Sequence, residues 1–261
     1  MTIYHENTAR KPRDLPVSEA ERTARVQLAA CYRIFNHLGW VEMIFNHITL
    51  RVPGPEGFFL INPFGLHYSE ITASSLVLID GEGNPVREGK WPVNRAGFVI
   101  HSAIHGAIAD AHCVMHTHTT TGMAVACLKE GLSPTNFYAA QLQGGVAYHD
   151  FEGITVEDGE KPRLLASIAG SGNPKRAVIL RNHGLLAWGP SVAEAYLTLW
   201  TLQRACDVQI AASAAGALNP IRSEVFAQTV RESGPGEKRT CEDVFAAMQR
   251  LVDAKDPSYR D

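Results

Sequence analysis

His116 and His118 stand two residues apart in the apolar run "HCVMHTH", residues 112–118. Side chains alternate along a β-strand, so residues i and i+2 leave the same face, and two imidazoles at this spacing can share one ion. A third ligand must come from elsewhere, and "ILRNHG", residues 179–184, offers His183 at the end of a second buried strand, before a glycine turn. A histidine held there is rigid yet reachable, which suits a catalytic metal with an open coordination position. Three neutral imidazoles fit Zn²⁺ first, and would also take Fe²⁺ or Mn²⁺. The spacing alone is a weak signal, because in a chain with eleven histidines two will sometimes fall at this distance. His112 is in phase with the pair but reads as a surface residue. His101 and His105 lie one helical turn apart and read as structural, or as hydrogen-bonded support for the ligands.

The elements that must position these groups follow from local pattern. Ser18 and Glu21 have the spacing of a capping box, and the apolar residues from Val26 to Leu38 give a long helix that Gly39 would stop. "HITLRV", "FFLIN" and "SLVLID" read as strands separated by turn-rich segments. "AGFVIHSAIHGAIAD" is helical in period, "HCVMHTH" is a strand, "TTGMAVACLKEG" a helix, and "RAVILRNHG" a buried strand breaking at Gly184. Ser191 and Glu194 form a second capping box ahead of a helix reaching about Ala215, and an amphipathic helix runs through "CEDVFAAMQRLVDA". Strands and helices interleave without repeats. The chain therefore divides into an N-terminal arm over 1–17, one α/β domain over 18–218 and a helical tail over 219–261 that would contact an oligomer partner or cover a neighbouring site.

Composition narrows the function classes. The 261 residues carry a net charge of −3, which gives no electrostatic case for a nucleic-acid or membrane partner. No apolar run nears the roughly 20 residues that a membrane span needs, and the polar N-terminus lacks a signal-peptide core. Five scattered cysteines without a CxxC pair read as reduced thiols of a cytoplasmic protein.

In order and spacing, "NHITLRV", "LINPFGLHYSEIT", "LIDGEG", "GFVIHSAIHGA", "VMHTHTTTGMAVA", "QGGVAYHDFEG" and "ILRNHGLLAWG" resemble the class II aldolase/adducin family, over roughly residues 20–215. The closest likeness is to the bacterial branch that looks like the adducin head. The resemblance implies a three-layer α/β/α sandwich around a mainly antiparallel sheet. It also implies a homotetramer with active sites at subunit interfaces and a divalent metal, zinc first, on His116, His118 and His183. Asn46 matches a substrate-facing asparagine, and Tyr138 matches a tyrosine donated across the interface as a proton donor. One departure stands out. Where the family's sugar-phosphate aldolases carry P-S-S-E-x-x-x-H, this chain has Asn94, Arg95, Ala96 and Gly97, with His101 retained. The acid/base glutamate is replaced by glycine, and Phe64, beside Gly65, replaces a small hydroxyl residue.

Retro-aldol chemistry needs a proton shuttle, which a glycine cannot provide. Arg95 suits a carboxylate through bidentate hydrogen bonds, and Phe64 an apolar ligand body. The favoured reading is therefore a metal-dependent carbon–carbon lyase on a small carboxylated substrate. Decarboxylation is preferred, with Tyr138, His101 or water returning the proton, and Glu42 and Glu70 are candidate substitute bases. A non-haem iron oxygenase of a hydroxyphenyl acid is the second reading, against which an all-histidine ligand set counts. An adducin-like scaffold without catalysis is the third.

Overall fold

The computed structural model describes residues 16–54, 57–142, 144–153, 158–170, 174–232 and 237–261. Most of the expected arm, 1–17, therefore lies outside the described residues. Helix α1 (Glu19–Leu38) starts where the cap predicts: the Ser18 side chain accepts from the Glu21 amide, and Gly39 closes the helix in a left-handed conformation at φ 73°. Only half of the capping box forms. The Glu21 carboxylate instead turns to Arg25 and Arg87, and Arg25 donates onward to the carbonyls of Ala73 and Leu76.

Seven strands build one sheet: β1 (Ile48–Arg51), β2 (Phe59–Ile61), β3 (Val77–Ile79), β4 (Cys113–Thr117), β5 (Val146–His149), β6 (Ala177–Leu180) and β7 (Gly184–Gly189). Their order is β3-β2-β1-β4-β7-β6-β5. Every pairing is antiparallel except β5 with β6. The mainly antiparallel sheet expected from the resemblance is what forms.

Alternation along the strands makes two cores. Ile48, Leu50, Cys113, Met115, Leu185 and Ala187 face α1, α6 (Val192–Ala215) and α8 (Lys238–Lys255). On the other face Val114, Val178, Leu186 and Trp188 meet α2 (Arg95–Ala107) and α5 (Lys161–Ile168). The short helices α3 (Thr120–Ala126) and α4 (Phe137–Gln141) lie between β4 and β5 in the chain, and α7 (Ser223–Glu232) precedes α8. This is the three-layer arrangement. The reading of the tail as an intermolecular contact needs correction for α8. Its Cys241, Phe245 and Val252, with Tyr259 beyond it, are buried in the chain's own core against α1 and α6, so its apolar face is already covered. No described helix is long and apolar enough to cross a membrane.

Candidate metal centre

His116 is on β4 with the phase of Val114, and so points to the α2–α5 face; His118 sits one residue past the strand end. His183 is not at the end of a buried strand as the sequence reads. β6 stops at Leu180, and His183 completes the tight turn into β7, where Leu180 pairs with Gly184. Asn182 supplies the turn's left-handed residue at φ 57°, and its amide donates to Ala126. The antiparallel β4–β7 pairing brings this turn beside the HxH segment. The result is a cluster whose ligand nitrogens all lie within 4.8 Å of one another.

Hydrogen bonds decide what these nitrogens offer. His116 Nδ1 lies 2.9 Å from the Leu185 carbonyl, which can only accept, so Nδ1 carries the proton. A neutral His116 then presents a bare lone pair at Nε2, facing His118 Nε2 at 2.7 Å. All three rings are held neutral. Burial, then repulsion by its two partners, pushes His116 well below the usual imidazole range. Burial lowers His118, and burial followed by His118 lowers His183 to about 4. Metal ligands must be deprotonated, and a carbonyl that fixes the distal nitrogen's proton is the usual support for a ligating histidine. The donor set therefore fits a divalent ion.

Behind the triad runs a column of further histidines. The His47 ring packs against His101 with centroids 4.1 Å apart and the planes tilted by 43°, and lies 6.1 Å from His116. Thr49 Oγ1 bridges His101 Nδ1 at 2.8 Å and His105 Nε2 at 2.7 Å, and His105 Nδ1 donates to the Ala111 carbonyl at 2.6 Å. The carbonyl fixes the direction of the chain. His105 Nδ1 holds its proton, its bare Nε2 accepts the Thr49 proton, and Thr49 oxygen accepts from His101 Nδ1–H. His101 is left with a bare Nε2, buried and without a hydrogen-bond partner among the described residues.

These buried imidazoles carry a stability cost in acid. Burial lowers His47 to about 4 and His105 to about 3 from an ordinary 6.5. The unfolded chain binds protons that the folded one refuses, so stability is whole above pH 6.5 and is lost as pH falls towards those values. The slope contributed by each such histidine is ~1.4 kcal/mol per pH unit. Thermal melts of metal-free protein from pH 7.5 to 4.5 should show a steep fall in Tm below 6.5; a flat profile would contradict the buried neutral column.

The remaining predicted residues fall as follows. Asn46 is buried with a left-handed φ of 67°, and its Oδ1 has no hydrogen-bond partner among the described residues. Phe64 packs against Phe45 at 6.2 Å, and Gly65, at φ 107°, turns beside Trp91. Arg95 opens α2, and its side chain lies outside the described residues. Glu70 is spent on the amide of His67, and Glu42 pairs with Phe45 in an isolated bridge. Tyr138 lies on α4 with its ring edge-on to Trp200 at 5.7 Å and near Arg204, so its described contacts are with α6 and not with the triad. Three further residues lie beside the triad, the first two unread in the sequence and the third marked there only as unusual after Asn46. Phe151 lies 6.0 Å from the His183 ring. Glu160 acts electrostatically on His183 and is hydrogen-bonded to His149 at 3.1 Å. The third is His47.

Comparison with known proteins matches residues 26–210 to the family described as Class II Aldolase and Adducin N-terminal domain. A Pseudomonas aeruginosa protein described as an aldolase class 2 protein is 43% identical, over 94% of this chain and 94% of its own length. Alpha-adducin of Rattus norvegicus is 39% identical over 95% of this chain, which spans only 35% of that protein. Among solved structures, L-fuculose 1-phosphate aldolase from Glaciozyma antarctica superposes with a TM-score of 0.81 at 30% identity, over 97% of both chains.

Proposed function

The chain belongs to the class II aldolase and adducin family, and from that membership we propose that it is a divalent-metal-dependent carbon–carbon lyase, decarboxylating a small, non-phosphorylated carboxylic acid. The observation that carries this reading is the convergence of the imidazoles of His116, His118 and His183, with the His116 tautomer set by the Leu185 carbonyl. A divalent ion held there, zinc first and iron or manganese as alternatives, would supply Lewis-acid polarisation of a substrate oxygen. Of the described carboxylates, Glu160 is the one acting on the triad, and His149 holds it. Decarboxylation needs no base to start, only a proton returned afterwards, and this favours it over retro-aldol cleavage. Asn46 and the Phe64–Gly65 turn would orient the substrate, with Arg95 pairing its carboxylate. Tyr138 from a neighbouring subunit of a homotetramer, or water, would return the proton, while His101, whose Nδ1–H is given to Thr49 and whose Nε2 is bare, would support the site and not serve as the donor. Phe137 beside Tyr138 is 64% exposed, as an interface residue would be in a single chain.

The test is anaerobic purification without a histidine tag, elemental analysis, and assay of CO₂ release from a panel of 2-oxo, 2-hydroxy and hydroxylated aromatic acids. Zinc or manganese near one per chain with CO₂ release supports the lyase. Iron with substrate-dependent O₂ uptake would mean the oxygenase instead. A chain that binds no divalent ion when offered one would be a scaffold.

A further inference from the structure

Position 97 faces His47. A Cβ built on Gly97 would come closer than 3.0 Å to three atoms of the His47 ring, a separation that real side chains do not show. The imidazole thus occupies the volume that a side chain at 97 would need, although the two residues are on different elements. Its ring packs against His101 at a centroid distance of 4.1 Å and lies 6.1 Å from His116. His118 and His183 are within electrostatic reach of it, and it in turn acts on His116. One ring nitrogen is engaged by the Gly97 backbone, and since Nε2 has no hydrogen-bond partner among the described residues, that nitrogen is Nδ1. A backbone group that favours the protonated nitrogen is a carbonyl, so Nδ1 carries the proton and a neutral ring leaves a bare lone pair at Nε2.

We propose that His47, whose ring fills the space that Gly97 leaves, determines ligand specificity at the triad by accepting at Nε2 a hydrogen bond from the hydroxyl of a 2-hydroxy acid. Two properties follow from the residue type. A neutral imidazole adds no negative charge to the site, so a carboxylate bound beside it is not repelled. A buried acceptor without a donor discriminates against ligands that cannot supply one, because the lone pair then stays unpaired. The Ala111–His105–Thr49–His101 chain holds the ring against which His47 packs.

The inference rests on the metal reading, so metal content is measured first on every variant. The probes are glycolate and methoxyacetate, titrated calorimetrically against zinc-loaded full-length protein. They share a carboxylate and an ether or hydroxyl oxygen, and only glycolate has the hydroxyl proton. Wild type should prefer glycolate by about tenfold to a hundredfold. His47→Ala should keep its metal and lose that preference, and His47→Gln, which retains a polar acceptor, should recover part of it. The double variant with Gly97→Glu and His47→Ala, which puts a carboxylate in the same volume, should bind glycolate more weakly still. An independent readout needs no ligand: Gly97→Ala should lower Tm in wild type and do so far less in the His47→Ala background. A metal-loaded His47→Ala protein with the wild-type preference would overturn the proposal, as would a Gly97→Ala penalty indifferent to residue 47. Failure of the wild type to bind zinc at all would instead remove the metal reading, and this inference with it.

Discussion

His116→Ala should leave a folded protein that no longer holds a divalent ion, with affinity lowered by more than about a hundredfold and catalysis lost. The comparison is with supporting residues, whose removal already costs roughly 10- to 100-fold in metal affinity. His116 is a candidate ligand itself, and the one whose tautomer the Leu185 carbonyl sets. Its removal also deletes the acceptor facing His118 Nε2, so the remaining pair loses its mutual orientation. The fold should survive because the strand pairing of His116 with Leu186 is made by backbone, and Val114, Leu186 and Trp188 still fill the surrounding core. The variant also loses one buried imidazole, so its acid-induced destabilisation should be shallower than that of wild type. Elemental analysis, circular dichroism and Tm against pH decide the matter together. Retention of stoichiometric metal by a folded His116→Ala protein would dismiss the triad as the metal site.

Much of this arrangement is legible in the sequence alone, for identifiable reasons. Local rules state themselves in adjacent residues, as with Ser18 and Gly39 at the ends of α1 and Ser191 ahead of α6. The HxH pair is legible because strand alternation is a two-residue rule. The strands β5 and β7 are not, since "VAYH" is short and "GLLAWG" has no polar alternation, being buried on both faces. That omission also misplaces His183: without β7 the histidine reads as the end of a strand, whereas it closes a hairpin. The apolar face of α8 is plain in the sequence, but which surface covers it is a tertiary matter, and α1 and α6 do so.

The relation between His47 and Gly97 shows where spacing stops being informative. Each is visible in the sequence as a departure from the family's pattern: a histidine after Asn46, and a glycine where the sugar-phosphate aldolases have an acid. Nothing local ties them together, because one precedes β1 and the other lies in the first turn of α2. The layer packing brings them into contact, and the two departures become one exchange of volume. Tyr138 is the reverse case. Its spacing to Gly144 matches the family, yet within one chain it packs on α6, so any role at a metal centre requires another subunit's triad.

Gly184→Ala is expected to disable the metal centre without replacing any ligand residue. A Cβ at this position would come closer than 3.0 Å to the Thr117 carbonyl oxygen, and would lie 3.1 Å from His118 Cδ2 and 3.2 Å from His116 Cε1. The first of these neighbours is backbone at the end of β4, between the two histidines, and cannot rotate away. Relief must come from separating β4 and β7 where Thr117 pairs with Leu185, which moves His116, His118 and the turn bearing His183 relative to one another. Overpacking of this kind typically costs about 1–3 kcal/mol in stability, so the variant should fold with a lowered Tm. The loss in metal affinity should be larger, on the order of a hundredfold, because coordination tolerates only ~0.2 Å of error in ligand distance. Gly122→Ala is an informative control. Its Cβ would also crowd neighbours below 3.0 Å, but these are side-chain atoms of Thr119 and Leu185, outside the ligand set. It should therefore lower Tm with a much smaller effect on metal content. Equal loss of metal in both variants would mean that general destabilisation, not displacement of the triad, empties the site; full metal retention in Gly184→Ala would mean that the ligands do not depend on this strand contact.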